Sequence, residues 1–305
     1  MLSPAGAIYD LAGRLLRAGR TPERAAVPVI CIGNVVAGGA GKTPVAIAVA
    51  EMLAKREVAF LSRGYGGRER GPVRVDPAAH DARAVGDEPL LLARHGPTWV
   101  SANRPAGARA ATGEGAGLIV MDDGFQNPSL HKDVSILVFD GETGIGNGHV
   151  MPAGPLRETL DAGFARADAA VIVGEDRTRL SERIGSRVPV FAARLQPTPE
   201  AEGLSGRRVL AFAGIGRPEK FFRTLAEMGC DVVATHAYAD HAPYDAERIM
   251  RLCEDAAAAD AIPVTTEKDL VRLPAEARAM VRAVPVILAW EEPERVAEFL
   301  ADRLG

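Results

Sequence analysis

Along most of the chain, short apolar runs alternate with segments whose apolar residues recur every three or four positions. The runs at 27–32, 58–62, 118–121, 134–139, 169–173, 188–192, 209–213, 231–235, 262–265 and 286–289 predict strands. Several are continuous Val, Ile and Leu, as expected of strands covered on both faces. Helical periodicity follows at 44–55, 89–94, 104–113, 219–228, 245–258 and 293–303. This alternation predicts an α/β fold with mainly parallel strands.

A proline-rich, aperiodic segment at 194–208, RLQPTPEAEGLSGRR, interrupts the alternation and marks a boundary between two units. The expected division is an N-terminal domain over 1–190 and a smaller α/β domain over 191–305. The glycine-rich stretch at 141–158 has no period and is long enough to predict a functional loop. Near the start, Ile8, Leu11, Ala12, Leu15 and Leu16 share one helical face while Asp10, Arg14 and Arg17 lie on the other. Such a helix either packs on its own domain or lies on an anionic bilayer.

Composition narrows the field. The chain has 305 residues, 47% hydrophobic and 25% charged, with a formal net charge of -4. That balance supplies no global positive field for a nucleic-acid backbone, and no nucleic-acid partner or obligate protein partner is expected. Only five of the 36 basic residues are lysines. Cys31, Cys230 and Cys253 are far apart, which fits buried thiols better than a disulfide framework or a zinc site. No apolar run is long enough to span a membrane, and no signal peptide is evident.

The first chemistry lies at 31–50, CIGNVVAGGAGKTPVAIAVA, where an apolar strand runs through glycines into Gly41-Lys42-Thr43 and a helix. This is the strand, loop and helix order of a phosphate-binding loop. Backbone N–H groups of Gly38, Gly39, Ala40 and Gly41 are expected to meet the phosphates of a nucleoside triphosphate, with Lys42 on the β and γ phosphates and Thr43 on Mg²⁺. Val36 stands where the usual pattern has its first glycine. Pro44 is tolerated in the first helical turn.

A partner carboxylate for Mg²⁺ is expected in GLIVMDDGFQ, where a strand ends in Asp122-Asp123. Successive strand residues face opposite ways, so at most one points at the metal unless the strand has broken. Asp140, closing VSILVFD, is a weaker candidate. For the acceptor side, Asp87 and Glu88 precede Pro89. Helix capping explains them as readily as catalysis. A second candidate is HAYADHAPYD, with His236 and His241 flanking Asp240, where a carboxylate and a histidine brought together form a base and its partner. TTEKD at 265–269 fits a helix cap, and GIGRP at 214–218 is a lone Gly-x-Gly.

The succession of G-N-x-x-x-G-G-x-G-K-T-P, S-R-G-Y-G-G, G-D-E-P, D-D-G-F-Q-N, P-A-G-P-L-R-E, A-G-I-G-R-P, D-H-A-P-Y and T-T-E-K-D resembles the tetraacyldisaccharide 4'-kinase family over nearly the whole chain. The resemblance implies ATP- and Mg²⁺-dependent phosphorylation of a tetraacyldisaccharide 1-phosphate to lipid IVA, in lipid A biosynthesis. It implies a P-loop NTPase-like domain closing on a second lobe. Asp87 is then the group that receives or orients the sugar hydroxyl proton, with His241 supporting it. Asp122 and Asp123 hold or position the metal. Glu88, Arg104, Gln126, Arg157 and Glu158 complete the cleft. The N-terminal helix becomes a contact with the cytoplasmic face of the inner membrane, and the enzyme a peripheral one. The rival reading is a P-loop NTPase switch at the membrane without a lipid acceptor.

Overall fold

The computed structural model describes residues 3–305, with backbone alone for residues 3, 4 and 16–18. Leu16 and Arg17, assigned above to the two faces of the first helix, therefore have side chains outside the described set. Among the described residues, thirteen strands run in chain order: β1 (Val29–Gly33), β2 (Val58–Ser62), β3 (Val73–Arg74), β4 (Thr98–Val100), β5 (Leu118–Asp122), β6 (Val134–Asp140), β7 (Ala169–Val173), β8 (Val190–Pro197), β9 (Arg208–Ala213), β10 (Asp231–Ala237), β11 (Ile262–Thr266), β12 (Arg282–Val284) and β13 (Val286–Trp290). All the apolar runs identified in the sequence form strands. The short β3, β4 and β12 lack a run long enough to announce them.

Nine strands form one sheet in the order β13-β8-β7-β6-β1-β5-β2-β4-β3, and four form another in the order β10-β9-β11-β12. The large sheet is parallel apart from β3 on β4 and β13 on β8. The continuous apolar runs follow from this architecture. On β1, Val29 and Cys31 face one core while Ile30 and Ile32 face the other. The second core receives the helices Lys42–Met52 and Pro293–Leu304 through Val45, Val49, Val296 and Leu300. The small sheet is likewise covered on both sides, by Phe221 and Leu225 of the helix Pro218–Glu227 and by Ile249 and Leu252 of Ala246–Ala258. Cys31, Cys230 and Cys253 are buried and free.

The division at residue 190 needs correction. β8 extends through Pro197 into the stretch read as a linker, and β13 returns from the far end of the chain to pair with it. Residues 286–305 thus belong to the large lobe, and the small lobe occupies the segment between β8 and β13. No local pattern announces this return, because a strand pairing with residues some 90 positions earlier leaves no periodic mark.

β1 sits between β5 and β6, with Ile32 beside Asp122 in register. The carboxyl ends of these three strands carry the glycine-rich loop, Asp122 and Asp140. That is where open α/β sheets place ligands.

Leu300 is fully buried on the large sheet. Leu300→Ala should cost ~2–5 kcal/mol of global stability, read from denaturant unfolding of the full chain. Loss of less than about 0.5 kcal/mol, the range of ordinary surface substitutions, would contradict its placement in the main core.

Candidate active site

Gly41, in a left-handed conformation, caps the helix Lys42–Met52 and turns the chain from the loop into its first turn. Thr43 Oγ1 donates to Asp122 Oδ2 at 2.8 Å. Asp122 ends β5, is 2% exposed, and has no partner for Oδ1 among the described residues. Burial pushes its carboxyl up to about 6, against the pull of Lys42. An anionic oxygen without a partner beside a threonine hydroxyl is a donor set suited to a hard divalent cation. Asp123 lies past the strand end at positive φ, half exposed, 3.6 Å from Lys42 Nζ and 3.4 Å from Arg157. The break in the strand frees both aspartates from strict alternation, and the two differ in burial and partners.

Asp87 opens the short helix Asp87–Leu92 and is 3% exposed. Its position depends on Gly86, at φ 92°, where a Cβ would stand 2.6 Å from Tyr65 O. Glycine there lets the Ser62–Gly67 turn and the helix start touch. Across the lobe boundary, His241 Nδ1 lies 3.0 Å from Asp87 Oδ2. His241 occupies the left-handed region and its N–H donates to Gly214 O at 3.2 Å. His236, by contrast, sits on β10, away from this cluster.

Residues of TTEKD complete the cluster. Thr266 caps its helix as read from sequence, accepting from Asp269 N. Lys268 Nζ, however, lies 2.8 Å from Glu88 and 3.9 Å from Asp87. Arg272 Nε lies 3.7 Å from Asp87. Asp269, fully buried, accepts from Gly214 N at 2.9 Å and Tyr244 Oη at 2.7 Å and pairs with Arg272. Arg272 also donates to Gly214 O at 2.6 Å and Ala242 O at 3.2 Å, so the loops that carry His241 are anchored to one buried ion pair.

These neighbours set the charges. Burial alone would raise Asp87, but hydrogen bonding to His241 and the ammonium of Lys268 hold it well below the usual carboxylate range. Glu88 is pushed up to about 7 by burial and by Asp87 next to it. The His241 imidazole is raised overall from its ordinary value, chiefly by its hydrogen bond to Asp87, with burial and the ammonium of Lys268 opposing the rise. Asp87, Glu88 and His241 are close enough to share a metal ion. The cation already at that point is Lys268, which disfavours a second positive charge there.

Other expected site residues are distributed differently. Gln126 Nε2 donates to Asn34 O at 2.8 Å and Glu158 Oε1 at 3.1 Å, and fully buried Glu158 also pairs with Arg166. Their side chains fix the loop after β1. Arg104 is buried, donates to Ser101 O, and is lowered to about 10 by burial. Its Nε has no partner among the described residues.

Asp140 is engaged by the small lobe. Arg217 lies 2.6 Å from it and Lys220 also pairs with it, while Glu142 takes Arg217 and Arg223. The GIGRP segment, left without a role in the sequence, supplies this clasp. It also lays Gly216 on the phosphate loop, where a Cβ would stand 3.3 Å from Gly39 N and 3.5 Å from Asp240 Oδ2. The histidine loop and the phosphate loop therefore meet at Gly216.

The sequence profile described as Tetraacyldisaccharide-1-P 4'-kinase matches residues 1–305. The chain is 55% identical to the tetraacyldisaccharide 4'-kinase of Rhodospirillum centenum, over all of this chain and 91% of that protein. It is 52% identical to that of Rhodospirillum rubrum, over all of this chain and 93% of that protein. A crystal structure described as the "apo" form of LpxK from Aquifex aeolicus in complex with ATP is similar over all of this chain and 98% of the other, with 25% identity and a TM-score of 0.77.

Asp140→Asn should weaken the clasp and lift Gly216 from the phosphate loop. Amide hydrogen exchange across residues 36–41 is then expected to accelerate roughly tenfold, as for loss of one charge-assisted hydrogen bond. Unchanged exchange would mean that the clasp does not hold the lobes there.

Proposed function

The chain belongs to the tetraacyldisaccharide-1-P 4'-kinase family, and on that premise we propose that it transfers the γ-phosphoryl group of ATP to the 4'-hydroxyl of a tetraacyldisaccharide 1-phosphate where its two lobes meet. The observation that carries this reading is the 3.0 Å contact between Asp87 and His241, contributed by different lobes and adjoining the phosphate loop through Gly216. A phosphate loop alone is equally compatible with hydrolysis. An ionised carboxylate oriented by a histidine gives an acceptor hydroxyl somewhere to leave its proton.

The loop amides and Lys42 hold the triphosphate and offset its charge in flight. Thr43 and Asp122 would hold Mg²⁺, and Asp123 with Lys42 and Arg157 would orient the phosphates beside it. When bound, the ion would neutralise charge on the β and γ oxygens. Asp87 Oδ2 is tied to His241, and Oδ1 accepts from Glu88 N at 3.1 Å, which fixes the plane of the carboxylate. As the sugar oxygen forms its bond to phosphorus and the bond to the ADP oxygen breaks, Asp87 takes the hydroxyl proton. Arg104, its Nε free of protein partners among the described residues, is suited to an anionic group in the cleft.

The first helix supports work at a membrane surface. Asp10 faces inward, accepting from Thr159 N at 3.3 Å, and Arg14 donates to Thr159 Oγ1 at 2.9 Å. Ile8, Leu11 and Leu15 are left 70%, 57% and 66% exposed. The helix is thus docked by its polar side and presents its apolar stripe outward, which fits shallow insertion into a bilayer. Between this helix and residues 148–159 lies a cavity of about 420 Å³, lined by Gly6, Asp10, Leu11, Arg14 and Val150. No described helix is long and apolar enough to cross a membrane. We place the enzyme on the cytoplasmic side of the inner membrane, where ATP is available.

Transfer of labelled γ-phosphate from Mg-ATP to the purified disaccharide tests the reaction. Asp87→Ala should lower kcat roughly a hundredfold to ten-thousandfold, and Asp122→Asn should weaken the response to Mg²⁺. Phosphate released equally with and without lipid would overturn the reading in favour of an NTPase. Ile8→Glu with Leu15→Glu should reduce co-sedimentation with anionic vesicles while leaving ATP binding intact, and undiminished co-sedimentation would remove the helix from the membrane contact.

A further inference from the structure

Lys268 stands at the meeting point of the acid-base cluster without an assigned part in the reaction. Its Nζ lies 2.8 Å from Glu88 Oε1, 3.7 Å from Asp240 Oδ1 and 3.4 Å from Nε2 of His241. An ammonium has three donors and no acceptor. The contact with Nε2 is a hydrogen bond only in the tautomer in which Nε2 offers a lone pair and Nδ1 donates to Asp87.

We propose that Lys268 is a positioning residue for phosphoryl transfer: its ammonium keeps Nε2 of His241 free of a proton, so that a neutral imidazole holds the Asp87 carboxylate. The inference rests on the kinase reading above. Its chemical point is the tautomer: with Nε2 facing an ammonium, Nδ1 is the nitrogen that carries the proton and orients Oδ2 of Asp87. Lys268, 3.9 Å from the same oxygen, also helps to hold Asp87 ionised.

Every charged group facing the ring enters the balance. Asp87 and Glu88 come from one helix start, and Asp240 precedes His241 in its own loop. All three favour the imidazolium. Lys268 opposes it, and Arg272 acts from the far side through Asp87. Tyr65 packs its ring edge-on at 5.5 Å. Among the described residues, Lys268 is the cation in direct reach of Nε2. It is held by the capped helix Glu267–Leu270, which the buried Asp269 fixes beneath it.

The test is a titration of His241 in the full-length protein by ¹⁵N-histidine NMR, with the resonance assigned from His241→Ala. Lys268→Met should raise the His241 pKa by about one unit, the effect of losing a like charge at close range. The acid limb of the kcat profile should rise with it. At neutral pH, kcat should fall roughly tenfold or more while KM for ATP stays within about twofold. Lys268→Arg should restore most of both. A His241 titration unchanged in a folded Lys268→Met protein would overturn the proposal, whatever happened to turnover. The NMR readout needs no acceptor, so a wild-type protein that fails to phosphorylate the lipid would defeat the kinase reading separately.

Discussion

The structure depends on a hydrogen bond that neither lobe can make alone. His241 reaches Asp87 only because the small lobe is laid across the carboxyl ends of the large sheet. Each side is prepared for that contact. Asp87 is held by the close approach at Gly86 and is almost fully buried. His241 is held by Gly214, which in turn is bound by Asp269 and Arg272. On the kinase reading, groups fixed in this way need little reorganisation when substrate arrives.

Charge explains how the two lobes stay matched. The acid-base cluster brings Lys268 and Arg272 of the small lobe onto Asp87 and Glu88 of the large one. A second ionic contact joins Arg217, Lys220 and Arg223 to Asp140 and Glu142. In both, the large lobe contributes the carboxylates and the small lobe the cations. Gly216 lies between them on the phosphate loop, so the glycine-rich loop and the His241 loop share one small region. The first helix leaves its apolar stripe outward, and its buried Asp10 shows that polar contacts dock it.

Much of the fold was legible because it is written in local patterns. Buried parallel strands leave apolar runs, and the phosphate loop leaves glycines before Lys42 and Thr43. What escaped was non-local. The pairing of β13 with β8 carries residues 286–305 back to the large lobe. Asp140 reads in isolation like a metal ligand, and only the folded chain shows that Arg217 and Lys220 occupy it. Capping accounts for the Asp87-Glu88 pair until His241 is seen beside it. The same holds for TTEKD, where the cap is correct for Thr266 yet conceals Lys268. Motif resemblance identified the family, whose profile spans residues 1–305. The contacts of Gln126 and Glu158 with the loop after β1 required coordinates.

On the kinase reading, Asp87 and His241 act as one unit assembled across the lobes. A double-mutant cycle on kcat/KM for phosphate transfer, using Asp87→Asn, His241→Ala and the pair together, measures that coupling. Residues that act as a unit give grossly non-additive losses. A double variant little worse than Asp87→Asn alone is expected. Losses that multiply would mean that the two residues contribute independently, and the contact between the lobes would then not be the source of the activity.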